Sequence, residues 1–365
     1  MNETPLPIST YPAPLPRTSL KRMLRTVRAL YKLSTSTKYR DDISDQLHET
    51  ARFDPGHASL MMGYDFHLAG EQPQLIEVNT NAGGSFLALQ AEPNTVFRRR
   101  INQRTLETFN EDFARFTGNN GDTPRYLVIL DEHPEGQFLF PEMTAFARQL
   151  QERGTTAAIA DPEELQADNR GVFHNGNRVD MIYNRHCDFY LESPEMEGVK
   201  DAYLAGNVCL SPNPFSYGLL ADKRRLPLWR SRDSLKLWGL SAREVDLLQA
   251  TLPECAMLAD LDRERVWVER KGWVFKPATQ FGSRGVLLGE KTTRKRFDTL
   301  DAATTLCQRQ VQPQMLTYPD GKTFKCDLRL FVYRNRLLGL AARLYRGQVT
   351  NMRTEGGGFA RVELI

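Results

Sequence analysis

"QLIEVNTNAGG", residues 74–84, is the stretch on which the reading of this chain turns. On an extended chain, side chains two apart face the same way, so Glu77 and Asn79 look to one side and Ile76 and Val78 to the other. With the residues before it the stretch becomes "GYDFHLAGEQPQLIEVN", 63–79. It alternates on both sides of the turn-prone "AGEQP" and predicts a β-hairpin. A turn centred near Glu71 sets Asp65 opposite Glu77 and gathers Tyr64, Phe66, Ile76 and Val78 on the other face. Like charges directly opposite destabilise a sheet, and two carboxylates about 5 Å apart repel by roughly 0.8 kcal/mol even in water. A cation between them reverses the sign. The oxygens of Asp65, Glu77 and Asn79 suit Mg²⁺ better than zinc. For a lone hairpin a solvated polar face is the better reading, so the rest of the chain decides.

The 365 residues are enough for two or three domains with real cores. With 41% hydrophobic and 25% charged residues the composition is that of a soluble globular protein. The net charge of +3 is too small to argue for nucleic acid. No apolar run is long enough to cross a membrane and the N-terminus lacks a signal-peptide core, so the expectation is a cytoplasmic protein without stable membrane association. Cys187, Cys209, Cys255, Cys307 and Cys326 show no CxxC spacing and read as reduced thiols. "SLKRMLRTVRALYKL", 19–33, is a basic amphipathic helix. It suits a transit peptide, a membrane-surface helix or an anion-binding face, and best of all a helix packed on the body with its basic side in solvent.

Residues 1–120 hold this helix, the hairpin and a helical stretch around "EPNTVFRRRINQRTLETFNEDFARF", and "GNNGDTP" then reads as a linker. Residues 121–220 predict a small α/β domain. "RYLVILDE", the helix from Pro141 to Gly154 and "TTAAIADPEEL" make a β-α-β unit and imply a parallel sheet. "GVFHNGNRVDMIYNRH" adds an Asn-Gly hairpin and a strand leading to Arg185. The domain lacks GxGxxG, which argues against a dinucleotide. Residues 221–365 turn to helices and then hairpins. In "KTFKCDLRLFVYRNRLLGLAARLYRG" one face carries Cys326, Leu328, Leu330 and Val332, and Leu338, Leu340, Ala342 and Leu344 match it. That matching requires an odd loop centred near Asn335 and sets Asp327 opposite Arg343.

Chemistry is on offer in few places. After Lys276, a loop with Thr279, Gly282, Ser283 and Gly285 could cradle phosphate, or be a plain β-turn; GxxxxGK[ST] fits nowhere. Asp327, Arg329 and Arg343 share a face. They form either an exposed cross-strand ion pair worth about 0.2–1 kcal/mol or a set with Asp327 near a metal and the arginines on phosphate oxygens. The six histidines lack i, i+4 pairing and no GxSxG is present, which excludes zinc-protease and serine-hydrolase readings.

These stretches together resemble a circularly permuted ATP-grasp ligase, similar to glutathionylspermidine synthase and more distantly to eukaryotic glutathione synthetase. "YDF" followed by "EVN" resembles the family's magnesium motif and implies Asp65, Glu77 and Asn79 as ligands. "DKRRLPLW" and "VFKPATQFGSRGV" resemble the stretches bearing the nucleotide lysines, here Lys223 and Lys276, with Gly282 to Gly285 over the phosphates. "CQRQVQP" resembles the strand whose backbone, at Gln310 or Val311, meets adenine. "AARLYRG" resembles the stretch with a phosphate- or substrate-facing arginine, here Arg343. The Glu-x-Asn element precedes the lysines, which is the permutation. Where the family's synthase carries an arginine two residues before the metal aspartate, this chain has Gly63. No amidase domain and no glutathione- or polyamine-binding loop is recognisable.

The resemblance implies an α/β (α+β) permuted ATP-grasp fold with a Rossmann-like pre-ATP-grasp domain, using ATP and Mg²⁺. It implies a ligase joining a small-molecule or peptide carboxylate to an amine through an acyl phosphate, with Arg329 and Arg343 stabilising the transferring phosphoryl group. A phosphotransferase on the same fold and a non-catalytic nucleotide-binding protein are the other readings. Neither the substrates nor the oligomeric state can be read from the sequence.

Overall fold

The computed structural model describes residues 7–279, 285–348, 350 and 354–365. Its largest sheet has six strands. In spatial order these are Gly358–Ala360, Arg336–Tyr345, Thr323–Tyr333, Met62–Ala69 and Gln72–Asn79, with Gln314–Thr317 beside the start of Thr323–Tyr333. The hairpin from the N-terminal third thus completes a sheet begun by the C-terminal third. Leu328 to Val332 pair with Phe66 back to Met62.

Both hairpins have the expected registers, by a route the sequence does not announce. Asp65 faces Glu77 and Asp327 faces Arg343. The turns, Gly70–Glu71 and Arg334–Asn335, hold only two residues each, the length that strand twist favours. Each hairpin then carries one bulge, between Asp65 and Phe66 and between Phe331 and Val332, which restores the odd offset. The extra residues, Ile76 and Leu338, change faces. Leu75 with Val78 enters the core where Ile76 was expected. Leu338 leaves its expected partners and packs with Phe331 and Tyr333.

The two faces of this sheet do different work. Tyr64, Phe66, Leu328, Leu330, Ala342 and Leu344 join the main core. That core also takes Met23, Val27, Leu30 and Leu33 of the helix Arg17–Ser34, so the basic helix packs on the body. On the opposite face, odd-numbered residues of Thr323–Tyr333 run from charged, Asp327 and Arg329, to apolar, Phe331 and Tyr333.

A four-stranded parallel sheet, in the order Cys209–Ser211, Met181–Asn184, Tyr126–Leu130, Thr156–Ala160, packs through Leu127, Ile129, Met181 and Tyr183 into the same apolar cluster as Phe331. The helix Phe140–Gln151 makes the crossover, and Asn175 and Gly176 form the expected positive-φ turn. A third, antiparallel sheet runs Cys255–Met257, Thr305–Arg309, Trp273–Pro277, Leu287–Leu288 and carries Lys276. Among the described residues no helix is long and apolar enough to cross a membrane.

Candidate active site

Strand pairing lines up the charges. Asp65 lies between Glu77 on one neighbouring strand and Arg329 on the other, and Arg343 reaches in from the strand beyond. Arg329 grips Asp65 with two bonds, Nε to Oδ1 and Nη2 to Oδ2, both 2.6 Å. Arg343 adds Nη2 to Asp65 Oδ2 at 2.9 Å and donates its Nε to Asp327. Thr350 Oγ1 donates to the second oxygen of Asp327 at 2.6 Å. The side chains of Asp65, Asp327, Arg329 and Arg343 are only 5, 2, 12 and 11% exposed. The Asp327–Arg343 pair is therefore not the exposed bridge of the weaker reading. Breaking a buried pair costs about 3–5 kcal/mol because a charge is left without a partner.

Burial alone would raise the Asp65 pKa, but the two guanidiniums outweigh it and hold the carboxyl below its ordinary range. Glu77 differs. Asn79 Nδ2 lies 3.4 Å from its Oε1 and 3.5 Å from Asp65 Oδ2, and Glu77 makes no ion pair among the described residues, although its charge acts on Lys276 and Arg343. No group of three or more His, Cys, Asp or Glu side chains there could hold a metal ion. The expected set is two acids and an amide, with one acid already committed to arginine.

Lys276 comes from the third sheet. It is buried, and donates to Gln308 Oε1 at 2.7 Å and to the Ile76 carbonyl at 3.3 Å. Burial pulls its ammonium down to about 8, with Lys223 acting in the same direction and Glu77 opposing. Lys223 acts on Lys276 through its charge, and it lines neither of the two cavities here. A cavity of about 200 Å³ lies between the two antiparallel sheets, lined by Asp65, Glu77, Lys276, Gln310, Val311 and Arg343. The Gln310 N–H is already spent on the Gly272 carbonyl at 2.9 Å, and the Val311 carbonyl accepts from His67 Nδ1 at 2.8 Å. A second cavity of about 400 Å³ shares Glu77 and Arg343, and adds Asn79, Arg329, Asp131 and Arg185. Thr279 and Gly285 are exposed and line neither cavity; Gly282 and Ser283 fall outside the described residues.

The glycines of "NTNAGG" serve packing. A Cβ on Gly83 would stand 2.2 Å from Leu139 and 2.4 Å from Arg185 Nη2, and one on Gly84 2.1 Å from Phe359. Glu142 closes the loop by accepting the N–H groups of Gly84, at 2.6 Å, and Phe86, at 2.8 Å. Gly63 has a similar cause, since a Cβ there would meet Ala82 Cβ at 2.5 Å. No arginine fits at 63 without a shift, and Arg329 of the neighbouring strand supplies the guanidinium to Asp65.

No family model and no curated protein matches the chain. Among solved structures it is similar to one described as a "Putative gamma-glutamylcysteine synthetase" from Methylobacillus flagellatus KT. The TM-score is 0.52 at 11% identity, over 95% of this chain and 88% of that one. Weaker likenesses are to the ATP-grasp ligase PsnB complexed with minimal precursor, Mg and ADP (TM-score 0.29, 13% identity, 66% of this chain and 88% of that one). D-alanyl-alanine synthetase A from Vibrio cholerae O1 biovar eltor str. N16961 gives 0.30 at 11% identity, over 67% and 89%. Only the first score bears on architecture. The fold is mixed α/β, similar in architecture to that structure.

Gln308, His67 and Asp131 line these cavities without having been singled out from sequence. His67 offered a signal, two residues from Asp65 on an alternating strand. Gln308 stands in "CQRQVQP" among three other polar side chains, and nothing in that pattern separates it from a solvated one.

Proposed function

We propose that the chain is an ATP-dependent, Mg²⁺-using carboxylate–amine ligase on a circularly permuted ATP-grasp fold, acting through an acyl phosphate. One observation carries this reading: Lys276, Glu77, Asp65, Asp327 and Arg343 line one cleft between two antiparallel sheets, and Arg329 is bonded to its Asp65. The permutation is supported by chain order, because the Asp65–Glu77 hairpin precedes both lysines in sequence yet pairs with Thr323–Tyr333. In this reading residues 1–120 and 221–365 build the nucleotide-binding parts and 121–220 the substrate domain.

The donor chemistry fits Mg²⁺. Glu77 has no competing cation at ion-pair distance among the described residues, Asn79 is beside it, and Asp65 adjoins both. Glu77 and Asn79 would hold the ion, with Asp65 as a third oxygen donor shared with its arginines. Bound there, Mg²⁺ would neutralise charge on the phosphate oxygens. Lys276 and Lys223 would hold the phosphates, and the backbone near Gln310 and Val311 the base. Arg329 and Arg343, pre-aligned by Asp65 and Asp327, would stabilise the transferring phosphoryl group and cost no reorganisation at the moment of reaction. The low exposure of these groups would keep water from the acyl phosphate. Product analysis tests the reading: ADP with an amide supports it, and ADP with a stable phospho-compound replaces it with a phosphotransferase.

A further inference from the structure

The 400 Å³ cavity beyond Glu77 and Arg343 has a second wall, made by the domain that the reading above assigns to substrate without naming the residues that would bind it. Asp131 follows the strand Tyr126–Leu130, and Arg185 follows Met181–Asn184. These strands are parallel neighbours. From Tyr126–Leu130 the chain goes out to Thr156–Ala160 on one side and returns to Met181–Asn184 on the other. The gap between the two strands is therefore the switch point of the sheet. In open parallel sheets, ligands settle in the crevice beyond the carboxyl ends of the strands at that point.

The charges there are unusual. Asp131 is 8% exposed and Arg185 7%. The Asp131 carboxylate accepts the Glu132 N–H at 2.9 Å, and Arg185 donates Nη1 to the Asn81 carbonyl at 3.1 Å and lies over the Tyr183 ring. Neither makes an ion pair among the described residues, although both line one cavity. A buried carboxylate and a buried guanidinium that do not meet each carry an unrecovered desolvation cost. A molecule bearing both an ammonium and a carboxylate would satisfy the two at once.

We propose that Asp131 and Arg185 form the acceptor subsite of the ligase, and that the acceptor is an amine that also carries a carboxylate, as an amino acid does. The ammonium lies on Asp131 and the carboxylate on Arg185. This rests on the ligase reading above. Burial holds the Asp131 carboxyl up at about 6 against the opposing pull of Arg185, which suits a group that must take a proton near neutrality. Glu132 and His186 also act on Asp131, Tyr183 and Glu142 act on Arg185, and Glu77, Arg329 and Arg343 face both across the cavity. Asp131 accepts one proton from the ammonium, and the freed nitrogen lone pair attacks the acyl carbon. The C–N bond forms and the C–O bond to phosphate breaks. The second N–H proton leaves with the phosphate, and Asp131 returns its proton to solvent.

The test is calorimetric titration of the common L-amino acids, one at a time, into protein saturated with a non-hydrolysable ATP analogue. At least one is expected to bind, and its methyl ester and N-acetyl derivative to bind about thirtyfold more weakly or worse. Asp131→Asn and Arg185→Lys, each measured where it is folded, are expected to weaken the same amino acid to a similar degree, with analogue affinity unchanged. Equal binding by wild type and variants overturns the subsite, as does a wild type that takes the analogue but no amino acid. In both cases the ligase reading survives. A wild type that fails to bind the analogue overturns that reading instead, and titration without nucleotide then decides the subsite by the same criteria.

Discussion

Asp65 and Asp112 are both buried aspartates satisfied by several donors, and both are tied to the strand Thr323–Tyr333. Asp112, in the helix Thr95–Thr117, accepts from Ser211 Oγ at 2.6 Å, Tyr333 OH at 2.9 Å, the Ala58 N–H at 3.0 Å and His57 Nδ1 at 3.1 Å. Cys209 Sγ stands 3.9 Å from His57 Nε2, so the group has the residue types of a nucleophilic triad. Its geometry serves another purpose. Asp112 and Cys209 are fully buried, and burial raises the Cys209 thiol pKa, away from thiolate. The four donors come from three separate parts of the chain, which Asp112 fastens together. The donors to Asp65 are arginines that also line open cavities. Residue types and hydrogen-bond satisfaction thus fail to tell a lock from a reactive site. What tells them apart is whether the donors also face space that a ligand can enter.

Four experiments would break or sharpen that contrast. Glu77→Gln should abolish Mg²⁺-dependent turnover and leave the Tm of the apo protein no lower, since a like-charge neighbour of Asp65 disappears. A lower apo Tm with activity retained would move Glu77 into the structural class with Asp112. Arg343→Ala should slow turnover by about two to three orders of magnitude, and Arg343→Lys should rescue it poorly, because a point charge does not reproduce the guanidinium fork. Steady-state kinetics at full-speed Arg343→Ala would return Arg343 to a structural role. Asp112→Ala should cost about 3–5 kcal/mol in denaturant unfolding while nucleotide affinity, measured where the variant is folded, stays within twofold, roughly the scatter expected of distant sites. A large loss of affinity there would erase the distinction.

The smallest effect is a pH dependence. Burial pulls the Lys276 ammonium down to about 8 in the free protein, and in the proposed reading phosphate binds its charged form. Below that pH the ammonium is already present and affinity should be flat. Above it the complex must take up a proton, so affinity should fall, approaching about tenfold per pH unit. Titrations from pH 7 to 9.5 that show no fall would remove Lys276 from the phosphates.

Much of the site could be read from alternation alone. Asp65 opposite Glu77 and Asp327 opposite Arg343 follow from which residues must share a buried face. The bulges at Ile76 and Leu338 could not be read, because an apolar side chain suits either a core or a cavity wall and leaves no mark of which it takes. The guanidinium that grips Asp65 could not be read, because Arg329 stands 264 positions later and reaches it through a pairing between the two ends of the chain. Gly83 and Gly84 close the stretch that decides the fold, and alternation assigns them no role. Their cause is Leu139, Arg185 and Phe359 packed against the backbone. Asp131 was visible only as the end of an apolar strand, and its significance depends on the neighbour that strand acquires in the sheet.

The most direct measurement is calorimetric titration of a non-hydrolysable ATP analogue with Mg²⁺ into wild type, Lys276→Ala and Asp112→Asn at pH 7. One analogue should bind per wild-type chain, about tenfold or more weakly to Lys276→Ala and unchanged to folded Asp112→Asn. Absence of binding to wild type, or equal binding by wild type and Lys276→Ala, would contradict the assignment of the Asp65 cleft to nucleotide.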